Sequence, residues 1–319
     1  MTARIGVLTS GGDSPGMNAC IRAVIRAGLV HGYEMFAIYQ GFKGLVENQI
    51  EQVDRRFASE IINRGGTVLR TARLPSFLQE DVQKIAVANL KQHRIDTLVI
   101  IGGDGSYRGA SALSRLGVRC VCLPGTIDND VSSTDYTIGF DTALNTIVEC
   151  IDKLRDTSSS HQRCSIIEVM GRRCGDLALF SGIASGVELI VSSERPLNEE
   201  EILAQLEEGK QSGKRHFIIV VSEKLWDVFA LAKTIESKIG IEARATVIGH
   251  LQRGGIPSAS DRVLAARMGA GAIEALTRGN DSFVVGILQN HISFIPLEEA
   301  LSMPRMVDLR LYTDAEQLK

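Results

Sequence analysis

Arg119-Cys-Val-Cys-Leu-Pro-Gly-Thr-Ile-Asp-Asn-Asp130 is an apolar run that meets a proline and opens into acidic and amide side chains. Arg119 to Leu123 reads as a strand. It stops at Pro124, which has no amide hydrogen for a sheet ladder. Gly125 lets the backbone turn or a ligand approach closely. Asp128, Asn129 and Asp130 follow. Carboxylates just past a strand end lie where α/β proteins bind ligands, outside the carboxyl edge of the sheet. The same residues also suit an Asx-rich turn, because Asp and Asn hydrogen-bond their own backbone. One strand earlier the design recurs. Thr97 to Ile101 is a continuous apolar run, the type buried on both faces, and it ends in Gly102-Gly-Asp-Gly-Ser106.

The pattern extends in both directions. Arg4 to Thr9 reads as a strand feeding Ser10-Gly-Gly-Asp-Ser-Pro-Gly-Met-Asn18, and a helix runs on to about His31. A glycine loop opening a helix is a physical anion site, with free amides and the helix dipole pointing the same way. The loop is neither GxGxxG nor GxxxxGK[ST]. Further strands are expected at Glu34–Tyr39, Ser165–Val169, Phe217–Val221, Glu242–Ile248 and Phe283–Leu288, the last completing the regular part. Helices are expected from Tyr107, over Thr142–Leu154, Glu199–Gln211 and Val228–Ile239, and from about Ser260 to Leu276. Gly41–Gly44 reads as a turn, and Asn63–Arg73 as a glycine loop with three arginines. Repeated β-loop-α order is the signature of a doubly wound parallel sheet.

A chain of 319 residues exceeds one ordinary core and suits two domains. The formal net charge of −3 gives no reason to expect nucleic acid or an anionic membrane as partner. No 18-residue apolar run is present, and the first residues enter a strand without a signal-peptide core, so a cytoplasmic protein is expected. The six cysteines form no CxxC and read as buried thiols in a reducing compartment.

Strand ends gather Gly11, Gly12, Asp13, Asp104, Asp128, Asp130, Arg172, Glu223, His250 and Arg253. Glycines, carboxylates and arginines together are the parts of phosphoryl transfer. A nucleophile elbow and a dinucleotide fingerprint are both missing.

The chain closely resembles the bacterial ATP-dependent 6-phosphofructokinases over essentially its whole length. The carriers are Leu8–Asn18, Gly102–Ser106, Pro124–Asp130, Thr157–Arg163, Met170–Arg172 and Gly249–Gly255. The resemblance implies two Rossmann-like α/β/α domains with mainly parallel sheets and an active site in the cleft between them. Residues 1–139 plus about 252–305 would be the ATP/Mg domain. About 140–251 plus 306–319 would be the sugar-phosphate domain. It implies Asp128 as the base, with Thr126, Arg73 and Arg172 also catalytic. Gly12, Arg73, Leu74, Gly103, Asp104, Gly105 and Ser106 would bind ATP, and Asp104 would hold Mg²⁺ with Asp130 close by. Fructose 6-phosphate would meet Thr126, Ile127, Asp128, Met170, Gly171, Arg172 and Glu223. Leu251, Gln252 and Arg253 would join them, with Arg163, Arg244 and His250 around the 6-phosphate. Arg163 and Arg244 reach in from a neighbouring subunit in the family, so a homotetramer is implied. An effector site for ADP or GDP and phosphoenolpyruvate would use Arg22, Arg26, Arg55, Arg155, Gly186 and Glu188, with Lys214, Arg215 and His216.

Gly105 and Gly125 stand where pyrophosphate-dependent relatives carry Asp and Lys, so ATP is the expected donor. Leu74, Phe42 and Ser212 depart from residues common in the family. A pyrophosphate-dependent kinase and a non-catalytic nucleotide sensor stay open as alternatives, though a sensor has no need of the base.

Overall fold

The computed structural model describes residues 3–318. They divide into two units, residues 3–142 with Arg253–Arg305, and Ala143–Gln252 with residues 306–318. The first contains β1 (Arg4–Thr9), α1 (Met17–Val30), β2 (Glu34–Ile38), α2 (Gly41–Val46), β3 (Ile50–Val53) and α3 (Glu80–Gln92). It continues through β4 (Thr97–Gly102), α4 (Asp104–Arg115) and β5 (Arg119–Pro124). The chain changes unit within α5 (Phe140–His161). The second unit contains β6 (Cys164–Val169), α6 (Asp176–Ser185), β7 (Leu189–Val191), α7 (Glu199–Gln211), β8 (Phe217–Ser222), α8 (Val228–Ile239) and β9 (Ala243–Val247). The first then resumes with α9 (Ala259–Thr277), β10 (Phe283–Leu288), β11 (His291–Pro296) and α10 (Leu297–Ser302). The last helix, α11 (Leu309–Gln317), belongs to the second.

Neighbouring residues of the central strands enter different apolar layers. Val99, Ile101, Val121 and Leu123 join side chains of α1 and α9. Leu98, Ile100, Cys120 and Cys122 join side chains of α3 and α4. Period-two alternation with both faces apolar is what a sheet covered by helices on both sides requires. The strand order is β11-β10-β5-β4-β1-β2-β3, parallel except for the edge strands β3 and β11. Chain order reverses beside β1, so the ends of β1 and β4 form the switch point where such sheets bind ligands. The second unit has a parallel sheet, β7-β8-β6-β9.

Several elements differ from the sequence expectations. Gly41–Gly44 starts a short helix rather than a turn, because burial of Phe42 and Leu45 outweighs two glycines. Helix α4 begins at Asp104, three residues before Tyr107, which puts an acidic residue in its first turn, where the dipole favours it. Helix α5 runs on past Leu154 through Thr157-Ser-Ser-Ser-His161. Ser158, fully buried against Ser165, overrides weak helix propensity there. Strand β11 follows β10 through Gln289 and Asn290, both with positive φ, so the regular part extends past Leu288. The sequence reading also passed over β3, α3, α6, β7, α10 and α11.

The cysteines are free, and all but Cys150 are buried. Burial raises the thiols of Cys20, Cys120, Cys122 and Cys164 well above their ordinary range, which makes them inert. No described helix is long and apolar enough to cross a membrane.

Candidate active site

In the first unit three strand ends are knitted side by side. Ser10 N–H donates to Ile101 O, and Gly125 N–H to Gly102 O, each at 3.0 Å. Gly103 precedes α4, so the free amides of the first helical turn open at this edge. Ser106 Oγ sits against Gly102, where a Cβ would collide with it, and near Gly11. Ser106 Oγ and Tyr107 Oη are buried with no hydrogen-bond partner among the described residues. Burial pushes the Tyr107 hydroxyl pKa well up, so it stays protonated. The orphaned Ser106 hydroxyl, in the first turn of α4 where amides are free, fits an anionic, oxygen-rich group. Asp104 is half-buried and pairs with Arg108 at 3.0 Å. Such an exposed i,i+4 pair is weak, so a hard cation can compete for this carboxylate.

Gly12 lies directly against the Arg253 guanidinium, where a Cβ would make that side chain shift. Arg253 donates to Asp13 O at 3.0 Å. The two glycines near the donor site differ. A Cβ at Gly105 meets nothing within 4 Å, whereas one at Gly125 comes within 2.9 Å of Ile101 Cγ2. Position 105 is therefore the open one, and position 125 is held small by the core. Arg73 is exposed, and Leu74 packs partly against the second apolar layer. Phe42 is a core residue, stacked on Phe77 with ring centroids 4.4 Å apart.

The loop after β5 is buried and tied down. Asp128 is 7% exposed, and its amide donates to Thr126 Oγ1 at 3.2 Å. Asn129 adopts left-handed φ of 53°, and its side chain bonds Asp135 O and Thr137 N–H. Asn tolerates this region better than most residues. Thr137 Oγ1 donates to Thr126 O at 2.7 Å.

In the second unit the ends of β6, β8 and β9 converge. Met170 N–H donates to Gln252 Oε1 and Arg172 N–H to Glu223 Oε1, each at 3.0 Å. Gln252 is fully buried and donates back to Gly249 O. Gly171 and Arg172 both have positive φ, and the Arg172 side chain is left exposed. Arg163 and Arg244 gather at the opposite edge of this sheet, 3.9 and 2.6 Å from Glu242. His250 and Leu251 are exposed in the one-turn helix Gly249–Arg253 after β9. One copy of this unit therefore separates Arg163 and Arg244 from His250.

A phosphofructokinase family model matches residues 4–276. The chain belongs to the phosphofructokinase family. It is 55% identical over 315 residues, 99% of each chain, to a Clostridium perfringens protein named ATP-dependent 6-phosphofructokinase 1. The solved phosphofructokinase of Saccharomyces cerevisiae is 33% identical with a TM-score of 0.90, covering 98% of this chain. The chain spans half the length of that yeast chain. A solved pyrophosphate-dependent phosphofructokinase from Marinobacter aquaeolei has a TM-score of 0.88 at 22% identity, over 98% of this chain and 88% of its own, and so shares the fold.

The residues singled out for a phosphofructokinase effector site fall into two groups. In the first unit, partial desolvation and the nearby Arg22 and Arg55 lower the Arg26 guanidinium pKa. In the second, Arg155 donates to the carbonyls of Ser185 and Gly186, and Lys214 pairs with Glu188 at 2.7 Å. Glu188 is buried and also accepts from Ile218 N–H. Arg215 is exposed and His216 half-buried beside them in sequence. The sequence reading missed Asp261, a carboxylate only 1% exposed at the start of α9. Ser258-Ala-Ser-Asp261 was legible as a helix cap but not as a buried acid. It also missed Cys174, Asp176 and Glu194, whose ligand atoms lie within 4.8 Å of one another. Glu194 already accepts from Gly175 N–H and Ser193 Oγ.

Proposed function

We propose that this chain phosphorylates the 1-hydroxyl of D-fructose 6-phosphate with Mg-ATP, giving fructose 1,6-bisphosphate and ADP. The end-to-end identity of 55% to an ATP-dependent 6-phosphofructokinase carries the reading. Asp128 takes the proton from the 1-hydroxyl as its oxygen bonds the γ-phosphorus and the bridge to ADP breaks. Its burial, and the bond from its own amide to Thr126 Oγ1, fix the backbone from which the carboxylate makes that transfer. Arg73 and Arg172 meet the charge that spreads over the transferring group. Gly12, Leu74, Gly103, Gly105 and Ser106 accommodate ATP, with the amides of α4 on its phosphates. Magnesium held by Asp104, with Asp130 close by, supplies charge neutralisation when bound.

Thr126, Ile127, Met170, Gly171, Glu223, Leu251, Gln252 and Arg253 orient the sugar. Arg163, Arg244 and His250 bind its 6-phosphate. Their separation within one copy supports a homotetramer in which neighbours complete each site. ADP or GDP activates and phosphoenolpyruvate inhibits through Arg22, Arg26, Arg55, Arg155 and Lys214, assisted by Arg215 and His216, with Gly186 and Glu188 shaping the site. The crowding of Arg22, Arg26 and Arg55 supports an anion as ligand.

A coupled assay of fructose 1,6-bisphosphate formation, run with ATP and then with pyrophosphate, tests the reading. Faster turnover with pyrophosphate overturns the donor, and no product with either overturns the activity. Sugar-saturation curves with each effector test the regulation. Ser212, exposed at the end of α7, stands where relatives often have lysine. The Ser212→Lys variant is expected to bind both effectors more tightly.

A further inference from the structure

Asp261 is a buried acid that the reaction above does not use. Removing a carboxylate from water is costly, and an apolar residue of similar size would fill the space more cheaply. Its oxygens are instead met by donors from the start of another helix. Oδ1 accepts from Gly139 N–H at 2.7 Å, and Oδ2 from Thr142 N–H at 2.8 Å and from the Thr142 hydroxyl. Gly139 immediately precedes α5 and Thr142 lies in its first turn, where amides have no carbonyl partners within the helix. Thr142 Oγ1 in turn accepts from Ser258 N–H, and Ser258 Oγ bonds both Asp261 N–H and the Asp141 carboxylate. The starts of α5 and α9 are thus stapled reciprocally.

The segment that Asp261 holds is the one that holds the loop after β5. Ile138 N–H donates to Pro124 O at 2.8 Å. Thr137 bonds Thr126 O through its hydroxyl and Asn129 Oδ1 through its amide. Gly139 sits at φ +108°, and a Cβ there would come within 2.5 Å of Ser14 Cβ. Residues 137–142 therefore run between two anchors, the loop that carries Asp128 at one end and the Asp261 carboxylate at the other.

We propose that Asp261 is a positioning residue for phosphoryl transfer: by fixing residues 137–142 it fixes the loop that presents Asp128. The inference rests on the assignment of Asp128 as the base.

The Asp261→Asn variant keeps the size but turns an amide donor toward the Thr142 donors if Oδ1 keeps its partner. Expected is a fall in kcat of about 10–100-fold with the KM for ATP within about 2-fold, the pattern of a group acting in the transition state. In an Asp128→Ser background the same change should cost under about 3-fold, because residues that act as a unit are non-additive. Met268→Ala, in the core face of α9, is the control for lost stability. At a matched fall in melting temperature it should leave kcat within about 3-fold. Should Asp261→Asn fail to fold, Thr142→Val carries the test, with Thr142→Ser restoring kcat. If wild-type protein forms fructose 1,6-bisphosphate but Asp261→Asn or Thr142→Val keeps its kcat, the inference is overturned. An equal loss with and without Asp128 overturns it too. If wild-type protein forms no product, the functional reading fails instead.

Discussion

The loops after β5 and β6 both leave a parallel strand and both hold a non-glycine residue in the left-handed region, Asn129 at φ 53° and Arg172 at φ 58°. They are held differently. The first is buried: the Thr126 hydroxyl accepts from Asp128 N–H, the Thr137 hydroxyl donates to Thr126 O, and the Asn129 side chain bonds the backbone of Asp135 and Thr137. The second is bonded by acceptors from other strand ends, Gln252 and Glu223, while the Arg172 side chain points into the open. A loop that must aim a short carboxylate within hydrogen-bond reach needs a fixed backbone, because Asp has only two side-chain torsions to correct an error. A loop that offers a long guanidinium needs only its root fixed.

Breaking the comparison at its centre gives the largest effect. Asp128→Ser should lower kcat by roughly 10²–10⁴, with substrate KM values changing far less, in the coupled assay. Near-normal turnover would remove Asp128 from its role. Arg172→Ala should follow, lowering kcat by about 10²–10³, the range for losing one donor to developing charge. Arg172→Lys, which keeps the charge, should lose less, and an equal loss would point to the left-handed backbone rather than the side chain.

Asn129→Ala removes two side-chain bonds and leaves a Cβ residue at positive φ, so it should destabilise by about 1–3 kcal/mol in denaturant titrations. Asn129→Gly should recover part of that loss. If Asn129→Ala is neutral, the first loop is not held by its own side chains and the contrast fails.

The smallest effect tests the anchor through pH. Burial raises the Asp261 carboxyl from 3.8 to about 6, against the opposing bonds from Thr142 and Gly139, with Asp141 raising it further. The folded state therefore binds this proton more tightly than the unfolded state. Its stabilising contribution is complete below about pH 4 and is lost as pH rises through about 6. From pH 7 to pH 5 the wild type should gain about 1 kcal/mol relative to Asp261→Asn. Parallel pH dependence of the two proteins would show that Asp261 is not the group titrating.

What the sequence determined alone was local. Unbroken apolar runs such as Thr97–Ile101 can satisfy themselves only as buried strands, and glycine and acidic residues after them mark the ligand-binding edge. Helices α7 and α8 were readable residue by residue, because Asn198 and Asp227 cap them and an apolar stripe follows. The tertiary structure decided everything that depends on which distant groups meet. Phe42 became core and turned a glycine-rich turn into a helix. Arg163 and Arg244 came to one edge of their sheet and His250 to a turn beyond the other end of β9. Asp261 acquired its role from donors 119 and 122 residues away in the chain. Spacing reports only neighbours along one strand or helix face. The free energy of a buried carboxylate depends on which donors the fold brings to it.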